Sequence, residues 1–294
     1  MNITGNTTLT GLLGSPVAHS LSPYMHNQAF QLLGLDYVYL AFDVKETDLP
    51  AAVRGLKSLN IRGFNLTMPH KTAVMELVDE LTPVARLAGS CNTVIQENGR
   101  LIGHTTDGAG FLRSVAEKGL ILNQKQMTIL GAGGAAKAII AQAALDGASG
   151  IHIFRRNTPE AFRQTEAFAK RITLETSCPV RVFDLTDTHS LSESLASSTL
   201  FVNATNVGMA PASPNESPLP DGIRLPSHLT VADIIYNPQT TRFLHQAKAA
   251  GCNIIPGLYM LLYQGAAAFH CWTGQDMPVE SIKKDFEHLL YSKS

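Results

Sequence analysis

Short apolar runs alternate along the first 95 residues with stretches whose apolar positions recur every three or four, the signatures of buried strand and amphipathic helix. Leu9 to Gly14 reads as a strand. Ser22, with Pro23 after it, is placed to cap a helix that ends before Gly34, and Met25, Ala29, Leu32 and Leu33 give that helix its apolar stripe. Tyr37 to Val44 is aromatic and β-branched, a second strand. Leu49, Val53, Leu56 and Leu59 return to helical spacing, Arg62 to Leu66 to strand, and Pro69 forces a turn before a helix expected from near Lys71. Asn98-Gly99 between Thr93-Val94-Ile95 and Leu101-Ile102 predicts a tight hairpin.

Beyond residue 125 the pattern changes. Met127 to Leu130 is an apolar run feeding Gly131-Ala132-Gly133-Gly134-Ala135-Ala136, then an alanine-rich helix to about Leu145, then the strand Ile151 to Phe154. That is one strand–helix–strand unit of about 30 residues. Further strands are expected at Arg181–Phe183, Leu200–Val202 and Val231–Ile235, an exposed loop over Pro211–Pro226, and helix again from Leu258. The expectation is an α/β protein of two domains: an α/β substrate-binding domain from residues 1–106 and 258–294, and a Rossmann-like dinucleotide-binding domain from 107–257.

Composition removes several function classes. The 294 residues suffice for about two domains with cores of their own. A net charge of −1 gives no electrostatic case for nucleic acid or an anionic membrane surface as partner. Cys91, Cys178, Cys252 and Cys271 are widely spaced and read as reduced thiols, with no metal site among them. No apolar run approaches membrane-spanning length, and the polar start Met1–Asn6 lacks a secretory pattern, so a cytoplasmic protein is expected.

The glycine segment matches the dinucleotide fingerprint as Gly131-x-Gly133-x-x-Ala136. The first glycine permits a tight turn, the second lets backbone approach a pyrophosphate, and the small third residue lets helix and strand pack. The free N–H groups of the helix start, from Ala132 through Gly134 and Ala135, would hold the phosphates. An NAD enzyme tends to carry an acid at the end of the next strand. Here that region is Phe154-Arg155-Arg156-Asn157-Thr158, and Arg155 and Arg156 suit a 2′-phosphate. NADP is therefore favoured, with NAD as the alternative and ordinary surface arginines as the bland reading.

Ser20, Ser22, Asn65, Thr67, Lys71, Asn92, Asp107 and Gln264 bring hydroxyls, amides, an amine and a carboxylate to loops or helix ends. Taken singly, each has a structural explanation: Ser22 and Asp107 are natural helix caps. Taken together with Ser20-Leu21-Ser22-Pro23-Tyr24-Met25-His26-Asn27, Asn65-Leu66-Thr67-Met68-Pro69-His70-Lys71, Gly89-Ser90-Cys91-Asn92-Thr93-Val94, Thr106-Asp107-Gly108, Asn203–Met209, Asp233–Pro238 and Gly257–Ala266, the chain resembles the shikimate/quinate dehydrogenase family across nearly its whole length.

The resemblance implies reversible reduction of 3-dehydroshikimate to shikimate with a nicotinamide cofactor, a step toward chorismate and the aromatic amino acids. By matched position Ser20 and Ser22 hold the substrate carboxylate, and Asn65, Thr67, Asn92, Asp107 and Gln264 surround the ring hydroxyls. Lys71 and Asp107 form the catalytic pair. Asn203, Thr205, Met209 and Gly257 flank the nicotinamide, and Tyr236 either faces the substrate or is a buried aromatic at a strand end. Hydride delivery to a ketone builds charge on oxygen, which needs a proton donor; a lysine partly buried at a helix start, opposed by Asp107, fits that need. The assembly expected is a monomer or homodimer. Two departures stand out: Thr105 occupies the place of the family's usual asparagine, and Arg155 replaces the asparagine usual before the arginine of the cofactor strand. The rival readings are a quinate/shikimate dehydrogenase that also uses NAD, and a non-catalytic NADPH-binding regulator.

Overall fold

The computed structural model describes residues 3–291, with side chains to residue 286. The chain divides into two compact units, Met1–Gly110 with Leu262–Ser294, and Phe111–Leu261.

The first unit runs β1 (Thr8–Gly14), α1 (Ser22–Leu32), β2 (Tyr37–Asp43), α2 (Leu49–Ser58), β3 (Gly63–Leu66), β4 (Glu80–Leu81), α3 (Pro83–Ala88), β5 (Thr93–Glu97), β6 (Arg100–His104) and the start of α4 (Asp107–Ala116). Its sheet has the order β2-β1-β3-β5-β6-β4; β1 is parallel to β2 and β3, while β5 is antiparallel to both β3 and β6. The β5–β6 hairpin closes through Asn98 at φ 52° and Gly99 at φ 74°, the left-handed pair that an Asn-Gly turn supplies. One core gathers Leu13, Val53, Ile61, Phe64, Val74 and Val94.

The second unit runs β7 (Gln126–Leu130), α5 (Gly134–Leu145), β8 (Gly150–Arg155), α6 (Pro159–Thr176), β9 (Val180–Asp184), α7 (Thr188–Ser197), β10 (Leu200–Asn203), β11 (Thr230–Asp233), α8 (Arg242–Ala249) and β12 (Asn253–Ile255). Its six strands are all parallel in the order β12-β11-β10-β7-β8-β9. Strands that pair this way are buried on both faces, hence their continuous apolar runs. The order is that of a doubly wound dinucleotide-binding sheet, with the topological switch between β7 and β10. The fold class expected from the sequence is therefore the one observed. Two further helices follow, α9 (Leu258–Thr273) and α10 (Val279–Tyr291). The part of α9 within the first unit is fastened there: Trp272 Nε1 donates to Val94 O at 3.0 Å and Arg62 Nε to Trp272 O at 2.7 Å.

Local expectations fail at four places. Leu21, not Ser22, is the cap residue of α1, and Ser22 lies inside the helix. No α-helix begins near Lys71: a single 3₁₀ turn, Ala73–Glu76, follows it, so no helix dipole acts on that lysine. Leu32 and Leu59 are exposed because the stripes of α1 and α2 end one turn earlier. The loop Pro211–Pro226 is only partly exposed, since Leu219, Ile223 and Leu225 pack on the core of the second unit. Among the described residues no helix is long and apolar enough to cross a membrane, and all four cysteines are free thiols.

Candidate active site

Strand direction collects the polar residues of the first unit. With β1 and β3 parallel and β5 antiparallel to its neighbours, the C-terminal ends of β1, β3 and β6 and the start of β5 lie at one end of the sheet. Ser20 follows β1, Thr67 and Lys71 follow β3, Asn92 precedes β5 and Asp107 follows β6. Residues far apart in sequence are thus neighbours by topology.

At that end Lys71 Nζ meets Asp107 Oδ2 at 2.6 Å. The lysine side chain keeps 26% of its exposure and the carboxylate 6%, so the amine can reach a ligand while its partner is buried. Asn92 Nδ2 donates to Asp107 Oδ1 at 2.8 Å and to Gln264 Oε1 at 3.2 Å. Asn92 Oδ1 accepts from the Thr106 backbone N–H at 2.8 Å and from the Thr93 hydroxyl at 3.0 Å, which fixes the amide's orientation. Each Asp107 oxygen thus accepts from a side chain, Oδ2 from Lys71 and Oδ1 from Asn92. Lys71 is anchored through its backbone, since Cys91 N–H donates to Lys71 O at 2.8 Å. Gln264 on α9 is held against α4 because Gly110 has no side chain; a Cβ there would lie 2.6 Å from Gln264 Cα. Lys71, Asp107, Asn92 and Gln264 therefore form one hydrogen-bonded set.

Ser20, Ser22, Asn65 and Thr67 form a second group. The Ser20 hydroxyl accepts from Ser22 N–H at 3.3 Å. Tyr39, buried on β2, donates to Asn65 Oδ1 at 2.8 Å. Asn65 Nδ2 donates to Asn92 O and to Thr93 Oγ1, both at 3.1 Å, so this amide serves the scaffold as much as any ligand. Thr67 stays partly exposed beside Gly14, its methyl where a Cβ on that glycine would fall. Nothing in the sequence pattern singles out Tyr39 from an ordinary strand aromatic; only the β1–β2 pairing brings it to this network.

The remaining polar residues nearby have structural roles. His26 is fully buried, stacked on Tyr39 with centroids 4.4 Å apart, and burial pushes its pKa down to about 3, so it is a neutral core ring. His104 shares a 2.9 Å hydrogen bond with Thr82, and burial lowers its pKa as well. Burial pushes the Cys91 thiol up to about 12, which removes it as a nucleophile despite its place beside Lys71. The Thr105 hydroxyl, buried at 1% exposure, has no hydrogen-bond partner among the described residues. The substitution of threonine at this place thus strands a polar atom. Thr105→Val should raise stability by about 1 kcal/mol, read as a higher thermal midpoint. A lower midpoint would show that the hydroxyl is bonded in solution.

In the second unit the glycine loop leaves β7 at the switch point. Gly131 has φ 100°, and a Cβ there would sit 2.8 Å from Ala204 O, so only glycine serves. Around Gly133, by contrast, the position of a Cβ is open, with nothing within 4 Å. Gly133 caps α5 through backbone alone, with no side chain on the helix end. Open space, exposed Gly133 and Gly134 and free helix N–H groups fit a dinucleotide pyrophosphate.

The two arginines differ. Arg155 Nη1 donates to Ala161 O at 2.7 Å and Thr165 Oγ1 at 2.8 Å, tying the end of β8 to α6. Arg156 is exposed, and its guanidinium has no partner among the described residues. Asn203 is fully buried and holds its own turn: Oδ1 accepts from Thr205 N–H at 3.0 Å and Oγ1 at 2.7 Å, and Nδ2 donates to both oxygens of Asp233 at 3.1 Å. Burial pushes the Asp233 carboxyl up to about 6 even though it also accepts from Thr241 Oγ1 at 2.7 Å and Ile235 N–H at 2.9 Å. Thr205 and Met209 remain partly exposed on that turn. Gly257 allows close backbone approach, a Cβ there falling 2.5 Å from Ile235 O. Tyr236 lies in the loop after β11, half-buried, its phenol pushed up by burial.

Two family models match the chain: a shikimate dehydrogenase substrate binding domain over residues 12–94 and a shikimate 5′-dehydrogenase C-terminal domain over residues 257–284. The shikimate dehydrogenase (NADP(+)) of Listeria innocua serovar 6a is 46% identical over 282 residues, 96% of this chain and 96% of that protein. The chain belongs to the shikimate dehydrogenase family. A quinate/shikimate dehydrogenase of Escherichia coli is 45% identical over 284 residues, 97% of this chain and 98% of that protein. Among solved structures, shikimate 5-dehydrogenase from Listeria monocytogenes in complex with shikimate and NAD superposes with a TM-score of 0.93 at 46% identity, covering 97% of this chain and 98% of that one. The first matched stretch contains Ser20, Ser22, Asn65, Thr67, Lys71 and Asn92; the second contains Gln264. The glycine loop lies between them and stands on its geometry and on the full-length relatives.

Proposed function

We propose that this protein is an NADP-dependent cytoplasmic enzyme that reversibly reduces 3-dehydroshikimate to shikimate, with Lys71 and Asp107 as its acid–base pair. The observation that carries the reading is the 2.6 Å Lys71–Asp107 contact, with the amide of Asn92 on the far carboxylate oxygen and Gln264 on that same amide. The first unit is then the substrate domain and the second the dinucleotide domain.

The cofactor, when bound, supplies or accepts the hydride. The chain's own residues do the rest. Ser20 and Ser22 hold the substrate carboxylate, linked to each other by the Ser22 N–H on the Ser20 hydroxyl. Asn65, Thr67, Asn92 and Gln264 direct donors and acceptors at the ring hydroxyls. In reduction, Lys71 Nζ gives its proton to the carbonyl oxygen as that oxygen gains charge; in oxidation, Nζ takes the hydroxyl proton back. Asp107, acceptor only, keeps the amine aimed, and its second oxygen is pinned by Asn92, so neither group must reorganise during transfer. Incubation with 3-dehydroshikimate and NADPH should yield shikimate, one per NADPH consumed, by chromatography of the products. Consumption without shikimate would sink the substrate assignment.

On the cofactor side Gly131, Gly133 and the α5 start receive the pyrophosphate, and Arg156 the 2′-phosphate. Asn203 shapes the turn that presents Thr205 and Met209. Arg156→Ala should weaken NADP binding about tenfold to a hundredfold, the worth of a charge-assisted pair, with an unchanged melting curve. Arg155→Ala should instead cost about 1–3 kcal/mol of stability through the stranded acceptors on α6. Titration calorimetry and thermal melts on both variants check the division; equal behaviour of the two would refute it.

A further inference from the structure

The first turn of α5 carries a cation that the dinucleotide fingerprint does not call for. Lys137 lies one turn past Gly133, whose carbonyl its backbone N–H reaches at 2.9 Å. Its Nζ stands 5.6 Å from the centroid of the Phe168 ring on α6, and the Arg171 guanidinium stands 5.8 Å from the same ring. Lys137 is half-buried, and it enters no ion pair with a carboxylate among the described residues. Arg155, close enough to act on it electrostatically, is bonded among the described residues only to uncharged acceptors: Arg156 O, Ala161 O and Thr165 Oγ1. Burial first, then Arg171 and Arg155, hold the Lys137 pKa below its ordinary value. A half-buried ammonium in the field of two guanidiniums, itself paired with no carboxylate among the described residues, is placed to take an anion.

The location indicates which anion. Side chains of a helix lean toward its N-terminus, and one turn spans about 5.4 Å, so Lys137 can reach from α5 toward the end of β8. Arg155 and Arg156 stand at that end. The pyrophosphate end of α5 already has free N–H groups, whereas among the described residues the 2′-phosphate side has the uncommitted guanidinium of Arg156, Arg155 being tied to α6. We infer that Lys137 is a specificity-determining residue for NADP, supplying the second positive charge to the 2′-phosphate through the α5–α6 face that Phe168 and Arg171 build. The inference rests on the cofactor reading above and deepens it.

The test is equilibrium binding of NADP⁺, NAD⁺ and 2′,5′-ADP to the full chain carrying Lys137→Gln, with Lys137→Arg as the conservative control and a melting curve for each. The expected result is about tenfold weaker binding of NADP⁺ and 2′,5′-ADP in Lys137→Gln. NAD⁺ should stay within twofold, and Lys137→Arg should restore most of the loss. Equal weakening of NADP⁺ and NAD⁺ would place the lysine on the pyrophosphate or in the packing and overturn the inference. Unchanged affinities beside a wild type that prefers NADP⁺ would overturn it alone, leaving the cofactor reading intact. A wild type that binds NADP⁺ and NAD⁺ equally would overturn both.

Discussion

Lys71→Ala is expected to lower kcat for shikimate oxidation by about a hundred- to ten-thousand-fold, the range for removing a positioned proton-transfer group. The KM for shikimate should change far less. The reason is local. Lys71 is held from both sides, by its backbone carbonyl to Cys91 and by its amine to Asp107, yet it keeps a quarter of its side chain open. Its truncation also strips the buried Asp107 carboxylate of its cation, so a stability loss of about 1–3 kcal/mol should accompany the loss of turnover. Lys71→Arg should not rescue turnover, since a guanidinium keeps its charge and does not release a proton at working pH. Turnover within a few-fold of wild type in Lys71→Ala would reduce the lysine to a tie between two loops.

Asp107→Ala should affect both activity and stability. It leaves the Lys71 ammonium without its partner and frees the Asn92 amide, which Asp107 holds at 2.8 Å. Breaking a fully buried pair costs about 3–5 kcal/mol; because Lys71 is partly solvated, about 1–3 kcal/mol is expected here, with a kcat loss of about a hundredfold or more. Asp107→Asn separates the two roles. An asparagine oxygen can still face Asn92, but its NH₂ then opposes the ammonium, so stability should recover in part while turnover stays low. If Asp107→Asn were as active as wild type, the carboxylate's charge would have no part in the reaction.

Much of this was legible in the sequence wherever one short segment determines its own structure. Asn98-Gly99 dictates a left-handed turn, and strand, glycine loop and helix in immediate succession specify the cofactor unit. Misreadings arose where tertiary context decides. Ser22 has the chemistry of a cap, but the helix begins one residue earlier and Leu21 takes the cap position. The segment after Pro69 lacks the length to propagate a helix and stops at a single 3₁₀ turn. Arg155 and Arg156 are equivalent as letters and opposite as neighbours, because Arg155 ends β8 and bonds to α6 while Arg156 follows the strand and is exposed. Asn65 and Asn203 look like ligand-facing amides, yet each has most of its hydrogen-bonding capacity occupied by the scaffold. Tyr39 and Lys137 carry no motif, and only β1–β2 and α5–α6 packing give them their places.

A Lys71–Asp107 site that turns over shikimate and a β8 end that favours a 2′-phosphate together define the proposed activity. Initial rates for shikimate and quinate, each with NADP and with NAD, test both at once. A kcat/KM for shikimate with NADP at least about tenfold above every other pair, equivalent to about 1.4 kcal/mol of transition-state discrimination, is the predicted result. Comparable rates with quinate or with NAD, or no turnover of shikimate, would contradict it.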